Sequence, residues 1–307
     1  MKALVTGGAG FIGSHLVEYL ARKGVKVKIF DATTDKKYFD FNLSSWDIVR
    51  GNIENYSEIL QAADNCEVIF HLAGVLGTDF LVQRPKIAVQ SNIFGTLNIL
   101  DVARVTGSIV VYLSVLPNWN NSYMITKNAA AKFCQMYFQE FGVKTVILRG
   151  VHIYGERQKW KPIRKALPNF IVSALQNRPL GIYGNGNQLM DLLYVEDVVE
   201  AISRAAEVSM ALGQTIELGS GIGVKVIDLA KKIIELCSSS SRLRFDGPRI
   251  GEPDTPAAFT PANIQQQVKI LGFMPKISLD DGLIQTIEWY KRILFSANYS
   301  HSHTVEC

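Results

Sequence analysis

The chain has 307 residues, of which 48% are hydrophobic and 20% are charged, a composition typical of globular proteins with one or two domains. The formal net charge of +4 is small and no run of five like charges occurs, so neither nucleic acid nor a membrane surface is indicated as a partner. Because no apolar stretch reaches the roughly 20 residues of a membrane span, we expect a soluble protein.

Short apolar runs alternate with helical patterns in the first half of the chain. Strands are predicted at residues 2–6, 25–30, 67–71, 108–114 and 144–149, and helices are predicted to begin at Phe11, near Arg84 and near Ser122. Repeated strand, helix and strand indicate a parallel sheet covered on both faces. The predicted fold class is therefore α/β, a Rossmann-type doubly wound parallel sheet followed by a smaller C-terminal substrate domain.

The second half is richer in Pro, Gly and Asn, which is typical of loops and short helices. One amphipathic helix is predicted at 194–207, with Glu196 and Asp197 in its first turn, and we expect it to pack back on the sheet. The predicted domains are residues 1–150, which contain the repeated strands and helices, and residues 151–294, which contain most of the loop-rich half. Residues 295–307 lack periodicity and are predicted to form a tail.

The four cysteines (Cys66, Cys134, Cys237 and Cys307) lie far apart without a C-x-x-C spacing. Free thiols fit this spacing better than a disulfide framework, and no metal site is predicted. The amino terminus lacks the apolar region and the cleavage site of a signal peptide. We therefore expect a cytoplasmic protein.

The first predicted strand is followed by the glycine-rich segment GGAGFIG, in which Gly7, Gly10 and Gly13 recur at three-residue spacing. Such glycines allow a tight turn, let the backbone approach a pyrophosphate, and let the helix pack close to the strand. The positive end of the helix that begins at Phe11 would then meet the phosphates. A flexible turn is the simpler alternative, but the order strand, glycines and helix favours dinucleotide binding.

Asp31 ends the second predicted strand eighteen residues beyond Gly13, where a carboxylate can bind the ribose hydroxyls of adenosine. The nearest basic residues after it are Lys36 and Lys37. Because a carboxylate would repel a 2′-phosphate, NAD is favoured over NADP.

Tyr123 and Lys127 are four residues apart and share one helix face, so the ammonium can lie near the phenol or near a cofactor ribose. A free phenol has a pKa of about 10, and a nearby cation is expected to lower that value enough for the phenolate to act as a base. Because the chain has eleven tyrosines, a lysine four residues after one of them can easily occur by chance. The location of the pair, after a predicted strand and at the ligand-binding edge of the sheet, favours catalysis.

Beyond these residues an ordered set of motifs extends over residues 1–294. It comprises VTGGAGFIGSHL, HLAG at 71–74, SNIFGTLNILDVAR at 91–104, the Tyr123 and Lys127 pair, LRGVHIYGERQ at 148–158, IYGNGNQLMDLLYVEDVVEAI at 182–202, RIGEP at 249–253 and LGFMPKISLDDGLIQTIEWY at 271–290. With these motifs the chain resembles the extended short-chain dehydrogenases/reductases, of the NAD-dependent nucleotide-sugar epimerase/dehydratase type.

The resemblance implies an NAD site, a substrate site and a homodimer. The implied NAD-binding residues are Gly7, Gly10, Phe11, Ile12, Gly13, Asp31, Asn52, Ile53, Leu72, Ala73, Gly74, Tyr123 and Lys127. The implied catalytic residues are Tyr123, Lys127 and Ser114, and the substrate residues are Ser114, His152, Arg249 and Arg157. Helices at about 84–107 and 122–142 would form the dimer interface, although they could equally be ordinary sheet covering.

Three positions depart from the pattern of the family. Where two hydroxyl residues usually end the strand before the tyrosine, this chain has Ser114 and Val115, and the connection to Tyr123 is much shorter. A shift by one residue would let Ser114 supply the catalytic hydroxyl, with Ser122 as a weaker substitute. Met190 replaces an arginine expected at the substrate diphosphate, and Arg249, Arg157 or Lys161 would have to compensate. His152 replaces an asparagine and could be purely structural.

The resemblance implies an isomerase, an epimerase of a nucleotide sugar such as a UDP-hexose 4-epimerase. Tyr123 would remove the 4-hydroxyl proton, and a transient 4-keto sugar would be reduced on its other face. Leu116 and Pro117 stand where dehydratases carry an Asp-Glu pair, so simple dehydration is disfavoured. The alternatives are a reductase, dehydrogenase or dehydratase acting on another sugar-like substrate, and a non-catalytic NAD-binding protein.

Overall fold

The predicted strands and helices are present within one or two residues of their expected bounds. This computed structural model describes residues 1–33, 45–117, 120–161, 165–247 and 261–296. The strands are β1 (Lys2–Thr6), β2 (Lys26–Asp31), β3 (Asp47–Arg50), β4 (Val68–His71), β5 (Ile109–Val115), β6 (Thr145–Gly150), β7 (His152–Tyr154), β8 (Leu180–Tyr183), β9 (Leu189–Tyr194), β10 (Thr215–Leu218), β11 (Gly223–Lys225) and β12 (Leu243–Asp246).

The helices connect these strands. They are α1 (Phe11–Arg22), α2 (Tyr56–Ala62), α3 (Thr78–Val82), α4 (Pro85–Ala88), α5 (Gly95–Thr106), α6 (Ser122–Phe141), α7 (Ala166–Leu175), α8 (Val195–Glu207), α9 (Val226–Leu236), α10 (Gln265–Leu271) and α11 (Leu279–Phe295). A π-helical turn, Val89–Phe94, joins α4 to α5. None of the helices within the described ranges is both long enough and apolar enough to cross a bilayer.

Seven strands form one sheet in the order β10-β6-β5-β4-β1-β2-β3, and every neighbouring pair in it is parallel. This confirms the predicted Rossmann-type fold. The chain moves outward from β1 in both directions, so the strand order reverses between β1 and β4. In open parallel sheets the ligand crevice lies at the carboxyl ends of the strands at such a reversal.

Both faces of the sheet are buried, which explains why the central strands β1, β4, β5 and β6 are mostly apolar rather than alternating. On one face α1 and α8 cover the sheet, and Leu16 and Val17 of α1 share a core with Val198 and Ile202 of α8. On the other face α2, α5 and α6 pack against residues such as Tyr112 of β5. The long helix α6 therefore runs from the carboxyl edge of the sheet down its second face.

The chain returns to the sheet in three elements after residue 150, namely α8, β10 and α10, whose Leu271 lies in the same core as Leu16 and Val198. Helix α8 packs on α1, as the amphipathic pattern predicts. Strand β10 also joins the sheet as its edge strand, with Ile216 paired to Leu148 of β6. A boundary at residue 150 therefore does not describe the sheet itself, because an edge strand from residues 215–218 completes it.

The remaining elements form a smaller unit beyond the carboxyl edge of the sheet. It contains a three-stranded sheet of β11, β9 and β7 and a two-stranded sheet of β12 and β8. Its core is rich in aromatic side chains, including Tyr154, Tyr194, Trp289 and Tyr290. Because β7 directly follows β6, and α8 directly follows β9, this unit sits over the sheet edge that carries the crevice.

Candidate active site

The glycine-rich loop after β1 is shaped by close backbone contacts that only glycine permits. Gly7 has a φ of +71°, and a Cβ atom there would lie 2.7 Å from the backbone nitrogen of Ala73. A Cβ atom on Gly13 would collide with the carbonyl oxygen of Gly7. The amide of Gly10 donates to the Gly7 carbonyl at 3.0 Å and closes the turn. The loop is thus a compact cradle at the amino terminus of α1.

The first turn of α1 has no side-chain acceptor for its amides, because the N-cap residue is Gly10. Such amides bind anionic phosphates well. Asp31, at the end of β2, accepts hydrogen bonds from the amides of Ala9 and Thr33, both at 3.0 Å. Burial raises the pKa of Asp31, although these two amides oppose the change. Each carboxylate oxygen retains a further acceptor position for a ribose hydroxyl.

The segment after β4 completes this side of the crevice. The amide of Leu72 donates to the carbonyl of Thr6 at 3.1 Å, and the amide of Ala73 donates to the Thr6 hydroxyl at 3.3 Å. Asn92 accepts a hydrogen bond from the amide of Val75, and a Cβ atom on Gly74 would lie 2.7 Å from its side-chain oxygen. The HLAG segment is therefore held directly beside the glycine loop.

Asn52 and Ile53, two of the residues implied to bind NAD, directly follow β3. The Asn52 side-chain oxygen accepts from the amide of Glu54 at 3.0 Å, and its second lone pair is left for another donor. Ile53 is buried, and its carbonyl accepts from the Asn98 side chain at 3.0 Å. The glycine cradle, the uncapped helix terminus and Asp31 together fit a dinucleotide.

Tyr123 and Lys127 open α6 at the carboxyl edge of the sheet. The N-cap Asn121 fixes the first turn by accepting from the amide of Met124 at 2.9 Å. Lys127 is only 6% exposed, and its Nζ lies 4.2 Å from the centroid of the Tyr112 ring on β5. The helix thus carries its lysine into the protein, against β5, rather than into solvent.

Burial dominates the acid–base properties of this pair. It raises the pKa of Tyr123 to about 12 and lowers the pKa of Lys127 to about 7. The sequence predicts a lowered phenol pKa from the nearby ammonium, but in the structure the pKa of Tyr123 is raised, and the cause is the loss of hydration on burial.

Ser114 lies on the face of β5 that packs against α6. Its hydroxyl donates to the carbonyl of Lys127 at 3.1 Å, and the residue is 1% exposed. Since neighbouring side chains of a strand point to opposite faces, Val115 points away from this contact. On the other edge of β5, Ser114 pairs with Arg149 and Val115 with Gly150 of β6. The role of Ser114 as the catalytic hydroxyl stays a prediction.

His152 and Met190 lie on neighbouring strands of the smaller unit. The His152 Nδ1 is 3.3 Å from the carbonyl oxygen of Asp191, and burial lowers the pKa of its ring. Met190 packs against the core of this unit. The carboxylate of Asp191 accepts from the amides of Ser220, Gly221 and Ala262 at 2.8–3.1 Å. Asp191 is therefore occupied by the backbone of two loops.

The basic residues expected to compensate for Met190 differ in where they lie. Arg157 makes a two-pronged ion pair with Glu18 of α1, at 2.9 and 3.0 Å. In this arrangement the guanidinium joins the smaller unit to α1, and the substrate role of Arg157 stays a prediction. Lys161 is exposed, and Arg249 lies outside the described residues.

Lys165 was not singled out by the sequence analysis. Its Nζ lies 6.0 Å from the centroid of the Phe11 ring, at the amino terminus of α1. Burial and, to a smaller extent, the neighbouring Lys159 lower the pKa of Lys165 to about 8. The basic run before α7, KWKPIRK, is the signal in the sequence that could have indicated this cation.

Comparisons with known proteins agree with this geometry. The model of the NAD dependent epimerase/dehydratase family matches residues 3–115 and 113–219. UDP-N-acetyl-alpha-D-glucosaminuronate decarboxylase of Bacillus cytotoxicus is 28% identical, over 95% of this chain and 98% of its own length.

Two solved epimerase structures are also similar to the chain. UDP-glucose 4-epimerase of Thermotoga maritima, with UDP-glucose, has a TM-score of 0.88 and 25% identity, over 96% of this chain and 100% of that one. UDP-glucuronic acid 4-epimerase of Bacillus cereus, with UDP-glucuronic acid and NAD, has a TM-score of 0.86 and 26% identity, over 95% of this chain and 99% of that one. The chain belongs to the NAD-dependent epimerase/dehydratase family.

Proposed function

We propose that this chain is an NAD-dependent epimerase of a nucleotide sugar, similar to the UDP-hexose 4-epimerases, with Tyr123 as its acid–base group. The observation that carries the proposal is the position of Tyr123 and Lys127 at the start of α6, facing the same sheet edge as the glycine cradle and Asp31. The two similar epimerase structures, each bound to a UDP sugar, support this reaction class.

The residues of the chain have separate tasks in this reaction. Bound NAD supplies the reversible two-electron oxidation of the sugar carbon. Tyr123 accepts the proton of the sugar 4-hydroxyl as the carbonyl forms, and it returns that proton after the 4-keto sugar has presented its other face. Lys127, one turn along α6, stabilises the phenolate and binds the cofactor ribose. Because burial holds the pKa of Tyr123 at about 12, the phenolate needs a cation beside it.

Ser114 acts in this scheme as a positioning residue rather than as a proton donor. Its hydroxyl donates to the Lys127 carbonyl, so it holds α6 against β5 where the lysine enters the protein. Val115 points to the face of β5 opposite Ser114 and has no hydroxyl. The substrate oxygen therefore lacks the hydrogen-bond donor that the family usually provides at this position. The reaction therefore depends more heavily on Tyr123.

The substrate diphosphate is proposed to bind between α1 and the smaller unit. Lys165 lies near Phe11 at the positive end of α1. Its ammonium would replace the positive charge of the family's arginine, which is Met190 in this chain. Arg249 remains a predicted second contact. In this scheme residues 1–150 bind mainly the cofactor, and residues 151–294 bind mainly the sugar nucleotide, with His152 at the junction between them.

Decarboxylation or dehydration is the alternative within the family, since the similar proteins include decarboxylases and a trifunctional UDP-glucose 4,6-dehydratase. Leu116, which is buried, and Pro117 stand where dehydratases carry an acid pair, and neither side chain transfers protons. Epimerisation needs no such pair. A non-catalytic NAD-binding protein is the alternative of another class, and Val115 is the observation that favours it.

The chain is further proposed to act as a homodimer in the cytoplasm. Large apolar side chains are exposed along α5 and α6 and the turn before α5, including Val105 at 68%, Phe94 at 57% and Ile125 at 54%. An open groove of about 420 Å³ lies on the same side, lined by Tyr56, Asp101, Arg104 and Val105. A second copy packed through these helices would cover that surface. The free thiols of Cys66, Cys134 and Cys237 fit a reducing compartment.

Proton NMR of the anomeric region tests the proposed reaction. The purified chain is incubated with NAD and, separately, with UDP-glucose, UDP-N-acetylglucosamine and UDP-glucuronic acid. New galacto-type signals that are absent with Tyr123→Phe would support epimerisation. A pentose product from UDP-glucuronic acid would indicate decarboxylation instead, and unchanged spectra with NAD bound would favour the binding protein.

A further inference from the structure

Tyr112 on β5 contacts Lys127 at both ends of the lysine. The face of its buried ring lies 4.2 Å from the Lys127 Nζ, and its hydroxyl donates to the Lys127 carbonyl at 3.3 Å. An ammonium over an aromatic face is attracted by the negative charge of the ring's π system, most strongly where water is excluded. The same side chain thus contacts the charge and the backbone of one residue.

Among the residues that the structure describes, none of opposite charge interacts with Lys127. The titratable side chains around it are His71 of β4, Tyr112 of β5, and Tyr123 and Cys134 of α6. Burial lowers the pKa of His71 to about 3 and raises that of Cys134 to about 12, so both are neutral at pH 7. None of these neighbours is a carboxylate, which leaves the Tyr112 ring as the group that stabilises the ammonium.

A hydrogen-bonded chain of side chains keeps the Tyr112 ring in place. The ring stacks on His71, with centroids 5.4 Å apart. Thr96 donates its hydroxyl hydrogen to the Asn92 carbonyl, so it accepts from the Nε2–H of His71 at 3.0 Å. The other ring nitrogen, Nδ1, then accepts from the Thr6 hydroxyl at 2.8 Å. His71 is neutral and has both nitrogens satisfied.

This chain joins the two halves of the cofactor site. Thr6 directly precedes Gly7, and its hydroxyl also accepts from the amide of Ala73 in the HLAG segment. The contacts therefore run from the glycine cradle through His71 and Tyr112 to Lys127. A displaced Tyr112 ring would free the lysine and loosen the support beneath the cradle.

We propose that Tyr112 is a positioning residue that holds the Lys127 ammonium on its ring face and fixes the Lys127 backbone with its hydroxyl. The role rests on the proposed function of Lys127 as a cofactor-binding cation. Its chemical consequence is that Lys127 keeps its proton at neutral pH better than burial alone would allow.

The test compares Tyr112→Leu, which removes the ring, with Tyr112→Phe, which keeps the ring and removes the hydroxyl. The control Phe70→Leu removes a buried ring from β4 on the opposite face of the sheet. The Lys127 ammonium is followed by side-chain NMR of protein labelled with ¹⁵N-lysine between pH 5 and 10, and Lys127→Met assigns its signal. NAD affinity at pH 7 is measured by calorimetry on the same samples.

We expect Tyr112→Leu to lower the Lys127 titration midpoint by about one unit, because the ring no longer stabilises the charged form. A midpoint that falls from about 7 to about 6 reduces the charged fraction at pH 7 about fivefold, and NAD affinity should fall similarly. Tyr112→Phe and Phe70→Leu should stay within a few tenths of a unit of the wild type.

An unchanged midpoint in folded Tyr112→Leu would overturn the proposal, as would an equal fall in Phe70→Leu. If the Lys127 titration midpoint fell equally in Tyr112→Phe, the role of the ring face would be overturned and the effect would be assigned to the hydroxyl. These readouts need no sugar substrate. If the wild-type chain binds NAD but changes no UDP sugar, the proposed reaction fails while the titration of Lys127 still tests Tyr112.

Discussion

Replacing Lys127 by methionine should make the protein more stable and less functional at the same time. Methionine has a similar length and no charge, so it fills the same space against β5 without the cost of burying an ammonium. No carboxylate of the described part of the chain interacts with Lys127, and burial is the main cause of its lowered pKa. The lysine is thus retained at a cost to stability that its task at the cofactor explains.

The cost can be worked from the pKa of Lys127, which falls from 10.5 to about 7 on folding. At 1.36 kcal/mol per unit of pKa, the charged form is penalised by about 5 kcal/mol at most, and structural relaxation reduces this figure. Between pH 7 and 10.5 the unfolded chain keeps the Lys127 proton that the folded chain has lost. The free energy of unfolding therefore rises with pH across that window, and the penalty becomes smaller. Below pH 7 the penalty is present in full.

Urea unfolding of wild type and Lys127→Met at pH 6 and pH 9.5 measures this effect. We expect the variant to be more stable by about 2 to 5 kcal/mol at pH 6, with a much smaller gain at pH 9.5. Lys132→Met, on the exposed side of the same helix, is the matched control and should change little. A Lys127→Met protein that is less stable at pH 6, or whose difference from wild type does not depend on pH, would refute the reasoning.

Two further predictions concern the cofactor and the strand next to the catalytic helix. Asp31→Ala should weaken NAD binding about 10- to 100-fold, because hydrogen bonds from the ribose to a carboxylate are lost, and calorimetry should find the preference for NAD over NADP reduced. An unchanged preference would contradict the assignment of Asp31 to the ribose. Ser114→Ala should cost about 1 kcal/mol of unfolding free energy and less than tenfold in turnover, since one neutral hydrogen bond to the Lys127 carbonyl is removed. A loss of a hundredfold or more in turnover would instead restore Ser114 as a proton donor.

The elements that a local pattern specifies were predictable from the sequence, whereas the edge strands were not. Strands β1, β4, β5 and β6 are continuously apolar because both faces are buried, and the glycine spacing marks the loop before α1. Strand β3 has only four residues with charged ends, and β10 alternates Thr, Ile, Glu and Leu. Each becomes a strand by pairing with a partner distant in the chain, and no local pattern encodes such pairing.

The same distinction holds for the candidate site. The spacing of Tyr123 and Lys127 on one helix face follows from helical geometry, but the direction of the Tyr123 pKa depends on how much water the fold excludes. Period two along β5 would have paired Tyr112 with Ser114 on one face, yet only the fold shows that this face meets Lys127. The bidentate contact of Arg157 with Glu18 joins residues 139 positions apart, so no local pattern in the sequence indicated it.

The hydroxyl missing at position 115 can be restored. Val115 is the last residue of β5, pairs with Gly150, and points to the face opposite Ser114. Threonine has nearly the same shape as valine and favours strands equally, so Val115→Thr should fold normally. By the resemblance, the second of the family's two hydroxyl residues falls at this position, so the substitution restores that hydroxyl.

If Tyr123 works there without a hydroxyl partner, Val115→Thr should raise the rate of UDP-sugar epimerisation about 10- to 100-fold, because one well-placed donor to a developing oxyanion has an effect of roughly this size or greater. Steady-state rates at saturating UDP sugar measure this, and Val115→Ala controls for the change in packing. A faster Val115→Ala would show that space rather than the hydroxyl limits the reaction. A rate unchanged in Val115→Thr would mean that the sugar oxygen does not lie beside residue 115, and that the substrate is oriented differently from those of the similar epimerases.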